Sequence, residues 1–111
     1  MDNRFVDAVL TEVSKEKAES LGRAGNMLEA ALGELVDLDA HRDLSDPAQQ
    51  EQRRRLVGRI ARLVTNFIVQ REAFGLRDPD YVFEFYKVPA DVIAQLGKRA
   101  TMLSDLADRV K

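Results

Sequence analysis

Apolar side chains recur every three or four residues along most of this chain, the spacing of one face of an α-helix. The pattern is strongest between Pro47 and Gly75, where Leu56/Ile60/Leu63/Phe67 and Val57/Ala61/Val64/Ile68 form two adjacent stripes. A face that wide needs more than one neighbouring helix to cover it. The start of this central helix reads from Asp46-Pro47-Ala48-Gln49. Aspartate caps, proline suits the first helical position, and Gln49 completes a capping box. Its end reads from Phe74-Gly75-Leu76, with glycine in the left-handed closing position.

Upstream, residues 3 to 40 contain no proline. Phe5, Val6, Val9, Leu10 and Val13 form one apolar stripe. From Leu21 the repeat is close to a heptad, with Leu21, Leu28 and Leu35 alternating with Ala24, Ala31 and Leu38. The spacing skips a step across Ser14-Lys15-Glu16-Lys17. That leaves two readings: one long helix whose stripe rotates there, or two helices with a bend. The short polar connection from His41 to Asp46 predicts an antiparallel hairpin. With the turn centred near Asp43, facing residues sum to about 86 in number. That register sets Gly25 opposite Ala61 and near Gly58, Glu34 beside Arg53, and Glu29 beside Arg55 and Arg59.

Downstream, Asp78-Pro79 repeats the logic of Asp46-Pro47 and predicts a short third helix to Tyr86 that buries Tyr81, Val82 and Phe85. Pro89 opens a fourth, with Val92, Ile93, Leu96, Ala100, Leu103, Leu106, Ala107 and Val110 on one face. The predicted fold is all-α: a long antiparallel helical hairpin, a short helix and a C-terminal helix, in one domain over residues 1–111.

Length sharpens the picture. At 1.5 Å per residue the first helix spans about 55 Å and the second about 42 Å. Roughly the first 12 residues therefore overhang the hairpin. Phe5, Val6, Val9, Leu10 and Val13 lie there, each worth about 1.5–3 kcal/mol when buried. They are the candidate partner-binding residues. Either the fourth helix folds back on them or a second copy of the chain covers them, and a homodimer that buries at least part of this surface is the expected outcome.

Composition narrows the chemistry. With 45% hydrophobic residues the chain is that of a folded domain. There is no cysteine, which excludes thiol chemistry, disulfides and cysteine-ligated zinc. The single histidine, His41, sits in a polar turn without companion ligands. No His-Glu-x-x-His, no Glu-x-x-His pair, no nucleophile beside a histidine and no glycine-rich phosphate loop occurs. The expectation is a non-enzyme without a cofactor. No apolar run approaches the roughly 20 residues of a membrane span. The start is acidic within two residues, so a cytoplasmic location is expected.

The net charge of −2 is unevenly spread: residues 1–46 hold 5 basic and 11 acidic residues, residues 47–111 hold 12 and 8. Arg53-Arg54-Arg55 with Arg59 and Arg62 form the strongest basic cluster. Cations near a helix start, like Asp37 and Asp39 near a helix end, oppose the helix dipole. Pairing across the hairpin relieves both, and an anionic partner is the alternative.

Asn66, Gln70, Arg71, Glu72, Arg77 and Asp78 crowd the corner between the second and third helices. Two readings stand: a hydrogen-bonded corner that orients the third helix, or a small-ligand or partner site. In Phe67-x-Val69-Gln70-Arg71-Glu72-Ala73-x-Gly75-Leu76-Arg77-Asp78, followed by Val88-Pro89, the chain resembles a small bacterial family of unknown function. That resemblance implies a helical fold and no known activity.

Residues 79–99 also match the outline of a DNA-reading helix-turn-helix. The pattern departs at Phe83, where a small residue is expected, and at Lys87, where the turn glycine belongs. Gln95, Lys98 and Arg99 would be the base-reading or phosphate-reading groups. The functional expectation is a non-catalytic helical interaction or adaptor module, homodimeric. A DNA-binding regulator through 79–99 and a ligand sensor at 66–78 are the alternatives.

Overall fold

A computed structural model describes residues 4–43 and 45–97 of the chain. Among the described residues every regular element is helical and no strand occurs. Helix α1 runs unbroken over Arg4–His41, α2 over Pro47–Ala73 and α3 over Pro79–Phe85. A fourth helical segment, α4, covers 90–97. Ala100, Leu103, Leu106, Ala107 and Val110, expected on the face of the last helix, lie outside the described residues, as do Lys98 and Arg99.

Local chemistry sets the boundaries. The Asp46 carboxylate accepts from the Ala48 N–H at 2.9 Å and caps α2. Gln49 does not close the expected capping box; its Oε1 accepts instead from the Asp43 N–H at 2.6 Å, across the turn. At the far end, the Gly75 N–H donates to Glu72 O and the Leu76 N–H to Arg71 O, with Gly75 at φ +82°. This pair of bonds is a Schellman closure, and it needs the left-handed residue that glycine supplies without strain. Asp78 then caps α3 through the Tyr81 N–H. The end of α3 repeats the Schellman pairing, Lys87 N–H to Glu84 O and Val88 N–H to Phe83 O. Here the left-handed position holds Lys87, at φ +53°.

The core is one cluster. Leu28, Ala31 and Leu35 of α1 meet Val57, Ile60, Ala61, Val64 and Phe67 of α2, and Val82, Val88 and Val92 close the other side. The broad face of α2 is therefore covered twice, by α1 and by the returning segment α3–α4. Leu28, Ile60, Val64, Val82 and Val92 are the largest fully buried side chains, each worth about 1.5–3 kcal/mol. Within α3 the buried side differs from expectation. Val82 is buried, but Tyr81 and Phe85 are exposed, and Phe83 and Tyr86 pack against the core in their place. The left-handed turn after Tyr86 swings α4 onto α2 and carries Tyr86 inward with it.

The hairpin register also differs. Arg59 pairs with Glu34 rather than Glu29, Arg53 with Asp39 rather than Glu34, and Gly25 faces Phe67 rather than Ala61. The helix ends, His41 and Pro47, already sum to 88 rather than about 86. The remainder follows from side-chain direction. Helical side chains lean toward their own N-terminus, so the long arginines of α2 reach down toward the turn.

Candidate functional site

Three surfaces hold the residues that sequence singles out. The first is the N-terminal half of α1. Residues 4–19 are all exposed. The Ser20 hydroxyl, at the end of this exposed stretch, donates to Gln70 Oε1 at 3.4 Å near the end of α2. The preceding residues form an arm that projects about 24 Å beyond the packed part of the hairpin. Phe5 is 78% exposed, and Val6, Val9, Leu10 and Val13 are all exposed on the same side. The arm is continuous with the packed half, with no break at Ser14–Lys17.

The second surface is the arginine cluster. Arg53 donates to Asp39 at 2.8 Å and to Asp91 at 2.6 Å, which ties together α1, α2 and α4. The guanidinium holds the Asp39 carboxyl below its ordinary value and is itself pushed up by the two carboxylates. Arg59 pairs with Glu34, again across the hairpin. Arg54 and Arg55 both bind Glu51 on their own helix and hold its carboxyl down to about 2. Asp39, not Asp37, is the aspartate that takes part. The Asp37 carbonyl accepts from His41 Nδ1 at 3.0 Å. Beside these pairs runs an open groove of about 820 Å³ with Arg54, Arg55, Arg59 and Arg62 along it and Glu34 and Glu51 in its wall.

The third surface is the corner at 66–78, and the structure divides it. Asn66 and Gln70 look toward α1, in a crevice of about 170 Å³ shared with Ser20, Arg23 and Met27. Arg71 points elsewhere. Its guanidinium lies 5.8 Å from the centre of the Phe67 ring and 5.1 Å from that of Tyr81, a cation–π arrangement. Arg71 Nε is buried without a hydrogen-bond partner among the described residues. Asp78 is spent on capping α3, while Glu72 and Arg77 are exposed. The crevice that holds Asn66 and Gln70 is not lined by Arg71, Glu72, Arg77 or Asp78.

Sequence reasoning missed the aromatic setting of Arg71. It also missed an apolar rim, Val69, Phe74, Leu76, Tyr81 and Phe85, exposed at the end of the bundle from which the arm projects. Val69, Phe74 and Leu76 fall off the main stripe of α2 or in the turn after it, so periodicity gives them no weight, whereas Tyr81 and Phe85 sit on the side of α3 expected to be buried. Their side-by-side crowding from 67 to 86 is the signal that was available.

Among the described residues no helix is long and apolar enough to cross a membrane, and no group of three or more acidic or histidine side chains is placed to hold a metal ion. Comparison with protein-family models, curated proteins and solved structures finds no match for this chain.

Proposed function

We propose that the protein is a non-catalytic helical interaction module that engages protein partners through the arm of α1. The observation that carries this reading is the arm itself: sixteen successive helical residues, 4–19, all exposed, with five large apolar side chains along one side. Soluble proteins seldom leave so continuous an apolar stripe unpaired, and such stripes mark contact surfaces. The helix behind the stripe is anchored by the core, so the surface is presented ready-formed and loses little ordering entropy on binding.

The test is a comparison of two immobilised proteins in extract from the native cell. Wild type is expected to retain a discrete protein set, including added copies of the chain, that Leu10→Asp does not. Identical retention by the two would refute the reading.

A second reading, a DNA-binding regulator through 79–99, is favoured by one observation. The Tyr86–Pro89 turn places Lys87 in the left-handed conformation where a helix-turn-helix carries glycine. Against it, the first turn of α4 holds Asp91, already paired with Arg53, and Val88 and Val92 face the core. Salt-dependent retention on duplex DNA at about 50 mM salt would support that reading, and its absence would remove it.

A further inference from the structure

Resting on the arm as a contact surface, we infer that its occupant is a second copy of the same arm, packed antiparallel about a two-fold axis beside residues 9 and 10. Two independent features of the molecule lead there.

The first is the symmetry of the stripe. Reversed about the point between Val9 and Leu10, the apolar positions map onto themselves: Val6 onto Val13 and Val9 onto Leu10. An isologous two-fold contact asks for that kind of self-complementarity. Phe5, the most exposed of the five, then lies one residue beyond the paired set, toward the corner of the partner bundle. Residues 4–20 carry three basic and four acidic side chains, so like charge does little to oppose the pairing.

The second feature is where α2 stops. The arm stripe and the buried face of α1 at Ala24, Leu28, Ala31 and Leu35 point within about 50° of each other around the helix. A helix laid on the stripe is therefore laid roughly in line with α2, on the side that α2 vacates beyond Ala73. A parallel copy would continue along that side and run into the end of α2, because α1 is unbroken to His41. An antiparallel copy does not. With residue 4 opposite residue 15, the first described residue of each arm stops five residues short of Ser20, where Gln70 meets α1. The partner's packed half then lies beyond this arm's own tip. The midpoint of the exposed arm, between residues 11 and 12, lies two residues from the midpoint of the stripe.

The area is sufficient. One phenylalanine buries about 150–250 Å² and four aliphatic side chains about 60–120 Å² each, so two arms remove on the order of 1,000 Å² from water. That is the lower bound for a specific association.

The chain lacks cysteine, so single thiols can be introduced without background. Light scattering on the eluting protein should give twice the 12.5 kDa of one chain at micromolar concentration. Leu10→Asp should raise the dimer dissociation constant roughly a hundredfold, since it buries an unpaired carboxylate in the seam, and leave the helical spectrum unchanged. Under mild oxidation Leu10→Cys should link to itself, and Val6→Cys should link to Val13→Cys in a mixture. Val6→Cys alone should stay unlinked, its two copies being about 10 Å apart along the axis. Efficient self-linking of Val6→Cys would show a parallel pair and overturn the inference while leaving the arm a contact surface. A monomer whose arm captures a different protein would do the same. A dimer of unchanged affinity in Leu10→Asp would overturn both this inference and the reading it rests on.

Discussion

Gly22 and Gly25 lie three residues apart on α1, yet alanine should act on them in opposite directions. A Cβ built at Gly22 meets nothing within 4 Å. Gly22→Ala therefore gains helix propensity alone, about 1 kcal/mol, or about 4 °C in melting temperature. At Gly25 the same atom would lie 2.8 Å from the Tyr86 hydroxyl and 3.5 Å from the Phe67 ring. The hydroxyl has to move, and it belongs to a ring held on two sides. Tyr86 meets Phe67 edge-on with centroids 5.4 Å apart and Phe85 at 5.0 Å. Each such pair is worth about 0.5–1.5 kcal/mol beyond burial. Loosening both outweighs the propensity gain, for a net loss of about 0–2 kcal/mol in Gly25→Ala. Tyr86→Phe removes the obstructing oxygen, so Gly25→Ala in that background should be stabilising, close to Gly22→Ala. Urea unfolding followed by helical circular dichroism measures all four variants, and the cycle isolates the coupling. If Gly25→Ala stabilises as much as Gly22→Ala with Tyr86 intact, the close approach of α1 to the α3 turn is wrong.

Three further outcomes follow from the core, the second turn and the ion pairs. Leu28→Ala should lower unfolding free energy by about 2–5 kcal/mol in the same urea assay, since the side chain is fully buried and its neighbours come from two sides. Lys87→Gly should raise the melting temperature by a few degrees, roughly 0.5–1 kcal/mol, because lysine is held at φ +53° where glycine is unstrained. Arg53 holds the folded Asp39 carboxyl below its ordinary 3.8. That contribution is complete above 3.8 and fades as pH falls through the folded value. The loss of stability between pH 7 and pH 2.5 should therefore be smaller in Arg53→Met than in wild type, and equal losses would count against the pair.

The helices, their order and nearly all their ends were legible because local signals agree at each boundary. Asp46-Pro47, Asp78-Pro79 and Gly75 act through bonds to residues two to four positions away, which sequence spacing specifies. The two-sided stripe of α2 was legible for the same reason, since Val57, Ile60, Ala61, Val64 and Phe67 all became core. What sequence did not specify was lateral. The hairpin register depends on how far a long arginine leans along its helix, and the buried side of α3 depends on how Lys87 turns the chain. Both are decided between elements. The polar corner is split for a similar reason: Gln70 and Arg71 are neighbours in sequence but stand about 100° apart around α2. Most of the arm was legible from length, because 38 residues cannot be covered by 27, but the exposed stretch 4–19 is longer than that difference.

The unbroken course of α1 gives the molecule a fixed ruler. No joint lies between the stripe at residues 9 and 10 and the Glu34–Arg59 bridge beside the cationic groove. The span is about 37 Å of one stiff rod. In the two-fold assembly the two grooves would stand about 75 Å apart at a set bearing. Anything that grips both would be read by its length, much as calipers read a gap.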